Sequence, residues 1–504
     1  MVQAAVSIPP GGSPRLHAPR EAERGVLHQV LRRHLPAFLE ATSGDEGRGV
    51  PSFVRRELRG FLRCGVLRHG FARLRCGTCR EEKLVPFSCK GRGFCPCCGG
   101  RRMAERAAHL VDEVFPRAPV RQWVLSLPYA LRYRLAYDHE LCRAVLKVYV
   151  RALLGFHRRR ARRLGVEAGQ GGSVTVIQRF GAGLRLNLHF HTTAIDGVFT
   201  PSSDGESADG EGVVFTELPA PTDEEVATLL RTVVRRIHRL LVRRGLIDTE
   251  EGDPPSAPAD PATTEAPALA TLQQASLRGV QALGAEAGQR VRRVRDPLHA
   301  HRAHARHRPM HARLDGFDLH AAVAVAADDR EGLESLCRYI ARPAVAQTSL
   351  ELLDEDRVRV ALRHPWRDGT THLEFEPLEL IGRLAAFVPR PRTNLTLYHG
   401  VLAPNARLRA DVVAYGRDTE STTVPSPSNS AEEAATKGPP ACGLWIWADL
   451  MRRTFAIDVL ACATCGGRLE LVSVITCPAT AASIAAHLRR HRYPPRGSPR
   501  RSFC

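Results

Sequence analysis

Apolar residues alternate with period two from Arg121 (QWVLSLP), at Ser173 to Arg179, at Leu184 to Val198 and at Gly316 to Val325, which reads as four strands. Helical periodicity separates them, at residues 22 to 62, Leu141 to Arg163, Asp223 to Leu246 and Asp329 to Ile340. Together these patterns predict an α+β chain, a small antiparallel sheet with helices on one face. Seven of the fourteen cysteines fall between Cys64 and Cys98, which adds zinc-bound basic modules outside that sheet.

Each element has its own signal. Leu27, Val30, Leu31, Leu35 and Phe38 share one helical face, and Val54, Leu58 and Leu62 form a second. The strands around Ser173 to Arg179 and Leu184 to Val198 are separated by Gly-Ala-Gly and read as a hairpin. Residues 202 to 212 read as an acidic surface loop, and Thr222 with Glu225 reads as a capping box opening the helix at Asp223. Residues 248 to 268 are too rich in Pro, Ala, Thr and Asp to pack, so a linker or insertion is expected there. Five histidines between Arg290 and Arg313 (His299, His301, His304, His307, His311) are irregularly spaced among arginines and read as a solvated, DNA-facing segment. Pro343 ends the helix that begins at Asp329. The expected domains are 22–112, helical and zinc-binding for DNA recognition; 118–345, catalytic; 346–413, a mixed extension; 414–440, a disordered linker; 441–480, a short CxxC unit; and 481–504, a basic tail.

The 504-residue chain carries a formal net charge of +19, which points to a polyanionic partner, most simply nucleic acid. Only four of its 72 basic residues are lysine, so the excess of charge is the better evidence and the choice of arginine the weaker. No apolar run approaches the ~20 residues that span a bilayer, and the N-terminus lacks a signal-peptide core. A cytoplasmic protein without membrane contact is expected, and in a reducing cytosol the cysteines point to metal rather than disulfides.

Cys76-x2-Cys79 and Cys95-x2-Cys98 have the spacing of a four-thiolate structural zinc site. Cys64, His69 and Cys89 are left over, either as ligands of a second ion or as buried thiols. The module is basic, and Lys90, Arg101 and Arg102 are candidate DNA contacts. Cys462 and Cys465 form a further pair, with Cys442, Cys477 and Cys504 as the remaining cysteines in reach and no complete site evident.

His189 and His191 flank one apolar residue on a strand, so both imidazoles project from the same face, where neutral rings hold a divalent metal. Mg²⁺ or Mn²⁺ is expected, with Gln178 and His320 as candidate third ligands; Asp196, by strict alternation, falls on the opposite face. Tyr339 is the candidate nucleophile and Tyr398 the next, and Arg342 is a candidate phosphate contact.

Ile177-Gln178-Arg179-Phe180-Gly181, Leu186-Asn187-Leu188-His189-Phe190-His191 and Asp196-Gly197-Val198-Phe199 resemble the catalytic core of HUH-class rolling-circle transposases of the IS91 type, including the ISCR elements. The resemblance extends to Phe71-Ala72-Arg73, Phe87-Ser88-Cys89-Lys90 and Gly93-Phe94-Cys95-Pro96, to Cys337-Arg338-Tyr339-Ile340 with Arg342-Pro343, and to Trp366-x-Asp368-Gly369-Thr370. It implies a Rep/relaxase-like sheet and a transposase that nicks and rejoins single-stranded DNA through a 5′-phosphotyrosine, with host replication proteins as potential partners. Some members have two tyrosines four residues apart; Ser335 stands at that position here, so the chain resembles the single-tyrosine form. The same chemistry serves a plasmid replication initiator or relaxase, and a zinc-dependent DNA-binding protein with an inactive centre is the non-enzymatic alternative.

Overall fold

The computed structural model describes residues 21–43, 49–202, 212–247, 260–296, 308–417, 447–455 and 457–491. Helices α1 (Val26–Ala41) and α2 (Ser52–Arg63) lead into the hairpin β1 (Phe71–Cys76) and β2 (Glu82–Pro86), then α3 (Pro96–His109). Next come β3 (Val120–Ser126), α4 (Tyr129–Tyr137), α5 (His139–Arg163), β4 (Gly172–Phe180), β5 (Leu186–Ile195), β6 (Gly197–Pro201), β7 (Val213–Glu217) and α6 (Asp223–Arg243). They are followed by α7 (Pro261–Glu265), α8 (Pro267–Arg278), β8 (Arg292–Arg295), β9 (His311–Leu314), β10 (Phe317–Val325) and α9 (Arg330–Ala341). The chain continues through β11 (Leu350–Asp354), β12 (Arg357–Ala361), β13 (Thr370–Phe375), α10 (Pro377–Phe387), β14 (Thr396–Gly400) and α11 (Arg409–Ala414). Last are α12 (Trp447–Phe455), β15 (Leu469–Ile475) and α13 (Pro478–His491).

The central layer is a six-stranded antiparallel sheet in the order β14-β4-β5-β3-β10-β9. Residues directly opposite each other in neighbouring strands share a face. On one face lie His189, His191, Gln178, Val176 and Val124, because Gln178 stands opposite His189 and both Val176 and Val124 stand opposite His191. Val174 and Val176 of that face pack on Leu333, Leu336, Cys337 and Ile340 of α9 and on Ala107 of α3. The reverse face presents Trp123, Leu125, Leu188 and Phe190 to α5 and α6. Helices therefore cover both faces rather than one, because β5 is buried along nearly its whole length and needs apolar cover on each side.

The long strand expected to run to Val198 ends at Ile195. The chain then leaves the sheet, and β6 pairs instead with β7. A separate sheet, in the order β11-β12-β13-β8, packs Val358 and Phe375 against Leu27, Phe38, Val54, Leu380 and Leu384. Part of the segment expected to be a linker, residues 260–268, is folded: Asp260 caps α7, Ala262 is buried, and α8 begins at Pro267. Prolines that argue against packing mid-helix are favourable at the first helical position, where both of these sit. Residues 203–211, 248–259, 418–446 and 492–504, with His299, His301, His304 and His307, lie outside the described residues. Part of the segment expected to be a basic tail forms the end of α13. Among the described residues no helix is long and apolar enough to cross a membrane.

Candidate functional site

The interior strand β5 presents His189 and His191 side by side, with Nε2 atoms 3.0 Å apart and rings in edge contact. His189 Nδ1–H donates to the Asn187 carbonyl at 2.8 Å, which leaves the Nε2 lone pair directed at its neighbour. His191 Nδ1 meets the Gln122 side-chain amide at 2.9 Å, and turning that amide over lets Gln122 act as donor or as acceptor. Burial holds both imidazoles neutral, pushing His189 down to about 4 and His191 well below its ordinary value; the Arg342 charge adds to both shifts. Gln178, on the same face, gives its amide N–H to the Ile340 carbonyl at 3.3 Å and leaves Oε1 buried without a hydrogen-bond partner.

Helix α9 delivers Tyr339 to this pair. Asp329 caps its first turn by accepting from the Gly332 amide at 2.7 Å, an interaction worth about 1 kcal/mol. Leu333, Leu336, Cys337 and Ile340 form the buried stripe, and Tyr339 sits at its margin, 40% exposed. Its ring meets His191 edge-on, with centroids 5.8 Å apart at 88°. The helix stops at Arg342, whose extended backbone precedes Pro343. The Arg342 guanidinium lies 4.4 Å from the Tyr339 ring centroid and that of Arg363 lies 5.7 Å away, so two cations flank the phenol. Arg363 follows β12 and precedes the tight turn Trp366 to Thr370, which is closed by backbone bonds and by the Asp368 carboxylate accepting from Thr370. Arg185 and Arg293 stack on the ring of Trp366.

The other candidates fall elsewhere. His320, aligned with Val124, lies two strands from His191 and pairs its ring with His311. Asp196 is on the reverse face, in a buried ion pair with Arg121 at 2.6 Å. Tyr398 packs into the apolar layer with Val174, and burial raises its pKa. Tyr133 and Tyr137 donate to Asp260 and Glu265, tying α4 to α7.

The cysteines form two groups, divided differently from the grouping suggested by their spacing. Cys95 and Cys98 assemble with Cys64 and Cys89, while Cys76 and Cys79 assemble with Cys462 and Cys465; within each group the ligand atoms lie within 4.8 Å of one another. His69 belongs to neither group. In the first, the Sγ separations are 3.8 Å for Cys64–Cys98, 3.5 Å for Cys89–Cys98 and 3.6 Å for Cys95–Cys64. Four sulfurs tetrahedrally disposed at ~2.3 Å from zinc stand ~3.8 Å apart, so this set fits a structural zinc. Arg102 turns inward to the Gly91 and Lys90 carbonyls, bracing the loop, whereas Lys90 and Arg101 are exposed.

A second basic feature lies between α5 and α6, on the side of the sheet away from Tyr339. Arg151, Arg158, Arg159, Arg236, Arg239 and Arg243 line an open cleft of about 790 Å³, and among the described residues none of the six pairs with a carboxylate. Burial together with Arg236, Arg163 and Arg158 pulls the Arg159 pKa down, the electrostatic mark of crowded like charge.

Gln122, Arg363 and the partnership of Cys462 and Cys465 with the N-terminal cysteines were not foreseen from sequence. For Gln122 the signal existed, a polar residue at an inward position of an apolar strand; for Arg363 the sequence holds none. Residues 172–409 match the family model described as "Putative transposase", and residues 30–127 match the "Transposase zinc-binding domain". No curated protein and no solved structure matches the chain. The zinc-binding match spans Cys64, Cys89, Cys95 and Cys98, and the transposase match spans the histidine pair, Gln178 and Tyr339. Transposases act on DNA by cutting and transferring strands, and the two matches, in order along one chain, support an IS91-type transposase.

Proposed function

We propose that the chain nicks and rejoins single-stranded DNA at the ends of an insertion sequence, in rolling-circle fashion, with Tyr339 as nucleophile and the sheet of the HUH class as its platform. The observation that carries this reading is the meeting of two buried neutral imidazoles, 3.0 Å apart, with the edge of an accessible tyrosine ring. Two ligand atoms at right angles around an ion, each ~2.1 Å from it, stand ~3.0 Å apart, so the imidazole pair suits one divalent cation. The unpartnered Gln178 Oε1 is the best-placed third ligand, an oxygen compatible with Mg²⁺ or Mn²⁺. When bound, the cation would polarise the scissile phosphate and offset charge developing on its non-bridging oxygens.

The protein's own groups account for the remaining steps. Tyr339 Oη attacks the phosphorus and loses its proton, the bond to the 3′ oxygen breaks, and that oxygen leaves as a free 3′-hydroxyl. The product is a 5′-phosphotyrosine, which conserves the phosphodiester energy, so rejoining by an incoming 3′-hydroxyl needs no ATP. Arg342 and Arg363 hold the phosphate over the phenol and stabilise the developing charge. With one tyrosine in reach, a second cleavage requires its regeneration, a second protomer or water.

The test is incubation of labelled single-stranded oligonucleotides bearing element ends with Mn²⁺ or Mg²⁺, for wild type and Tyr339→Phe. A metal-dependent covalent adduct that disappears in the variant supports the reading. An adduct that persists moves the role to another residue, and DNA binding without any adduct favours an inactive binding protein.

A further inference from the structure

The second cysteine group has a regularity of its own. Cys76-Gly77-Thr78-Cys79-Arg80 and Cys462-Ala463-Thr464-Cys465-Gly466 are the same short knuckle occurring twice. In each, the residue after the second cysteine is left-handed, Arg80 with φ 60° and Gly466 with φ 73°. In each, that residue's amide closes the turn on the first cysteine's carbonyl, at 3.1 Å for Arg80 to Cys76 and 2.9 Å for Gly466 to Cys462. Backbone amides of Thr78 and Cys79 point at the Cys76 sulfur, and those of Thr464 and Cys465 at the Cys462 sulfur, so the two turns present their first cysteine in the same way. The two knuckles interlock as a cross: Cys76 Sγ is 3.5 Å from Cys465 Sγ, and Cys79 Sγ is 3.5 Å from Cys462 Sγ. A disulfide would need ~2.05 Å, whereas a shared tetrahedral ion needs ~3.8 Å.

We propose that Cys76, Cys79, Cys462 and Cys465 form a second four-thiolate zinc site, which fastens the C-terminal unit, residues 447–491, onto the N-terminal cysteine module. The site joins halves 383 and 389 residues apart in sequence, and half of it lies beyond both family matches. The surrounding structure agrees. β15 pairs antiparallel with β1, Phe71 opposite Ile475 through Cys76 opposite Leu469, so the C-terminal strand is the third strand of the N-terminal hairpin. Beneath the metal, Leu74, Cys76, Cys462 and Leu469 form a small apolar core of their own. A core this size cannot hold a unit in place unaided, which is the circumstance in which small modules rely on metal.

The fastening reaches Tyr339. Leu450 of α12 packs on Ala104 and Ala108 of α3. Arg453 pairs with Asp112 at 2.9 Å and with Glu334 of α9 at 3.0 Å, and Arg338, next to Tyr339, donates to the Thr454 carbonyl at 2.9 Å. The second zinc thus holds a brace against the helix that carries Tyr339, and this holds whatever chemistry that tyrosine performs.

Metal analysis of the full-length protein tests the assignment. The expected result is two zinc ions per chain, falling to one in Cys462→Ser/Cys465→Ser and to one in Cys76→Ser/Cys79→Ser. Limited proteolysis should release the C-terminal unit at least tenfold faster from either variant, while the Cys64, Cys89, Cys95 and Cys98 site keeps its ion. Cys462→His guards against simple misfolding: it should retain two ions, and in the cobalt-substituted protein its absorption should shift as one sulfur ligand becomes nitrogen. One zinc ion in the wild type, iron in its place, two ions in the Cys462→Ser/Cys465→Ser variant, or an unchanged cobalt spectrum in Cys462→His would each overturn the proposal.

Discussion

Removal of the Asp196 carboxylate separates stability from chemistry at this centre. Asp196 lies one residue past β5, an acid close in sequence to the histidine pair, but it faces the other way and grips Arg121 at 2.6 Å. Both side chains are almost fully buried. In Asp196→Ala the guanidinium keeps the Ala321 carbonyl at 3.1 Å and the Met310 sulfur at 3.4 Å, and nothing balances its charge. Breaking one side of such a pair costs about 3–5 kcal/mol, a large part of the ~5–15 kcal/mol that holds a typical domain together. Replacing both partners with apolar residues, as in Arg121→Met/Asp196→Ala, should recover most of that loss. Urea denaturation followed by the fluorescence of buried Trp123, whose strand also carries Arg121, measures the difference. Manganese affinity and adduct formation per folded molecule should stay within about twofold of wild type, because Asp196 lies behind the sheet from His189. A loss under ~1 kcal/mol in the single variant, a double variant less stable than the single, or abolished metal binding in a well-folded Asp196→Ala would refute this account.

Three further outcomes are expected. His157 is fully buried, both ring nitrogens lack partners, and burial lowers its pKa to about 3, so it is neutral when folded and protonates on unfolding. Its stabilising contribution is present above pH ~6.5 and is lost as pH falls toward 3; between pH 7.5 and 5 the loss is about 2 kcal/mol, and His157→Phe should flatten that slope in denaturation curves. Gln122→Leu removes the group that orients His191 and should weaken Mn²⁺ binding on the order of 10–100-fold in calorimetric titrations. If the arginine cleft between α5 and α6 holds DNA backbone, Arg158→Ala/Arg236→Ala should lower the slope of log affinity against log salt by ~1.4–1.8, and an unchanged slope would remove the cleft from the binding surface.

Much of the candidate site was legible because periodicity encodes it. Period two placed His189 and His191 on one face and Asp196 on the other, and the 3.6-residue period that marks Asp329 to Ile340 as a helix put Tyr339 on it, while its place at the margin of the buried stripe came only with the structure. The cysteine grouping was not legible. A Cys-x2-Cys pair fixes two ligands and says nothing about which second pair completes the tetrahedron. That choice is made by sheet pairing, and β1 pairs with a strand from the far end of the chain. The same gap between local pattern and tertiary context hid α7, whose proline suits a helix start as well as a linker, and Arg363, which reaches Tyr339 only through the path of a turn.

The pairing of β1 with β15 also sets an order in time. At ~5–20 residues per second of synthesis, the Cys76 and Cys79 knuckle waits on the order of 20–80 s before its counterpart, 389 residues later, leaves the ribosome. Everything that carries the Tyr339 centre is made in that interval, yet the helix that steadies α9 and the strand that finishes the N-terminal sheet follow it. A chain cut short before Cys462 would hold His189, His191 and Tyr339 but neither that strand nor that knuckle. A DNA-cutting enzyme assembled this way reaches its braced form only once translation has passed Cys465 and β15.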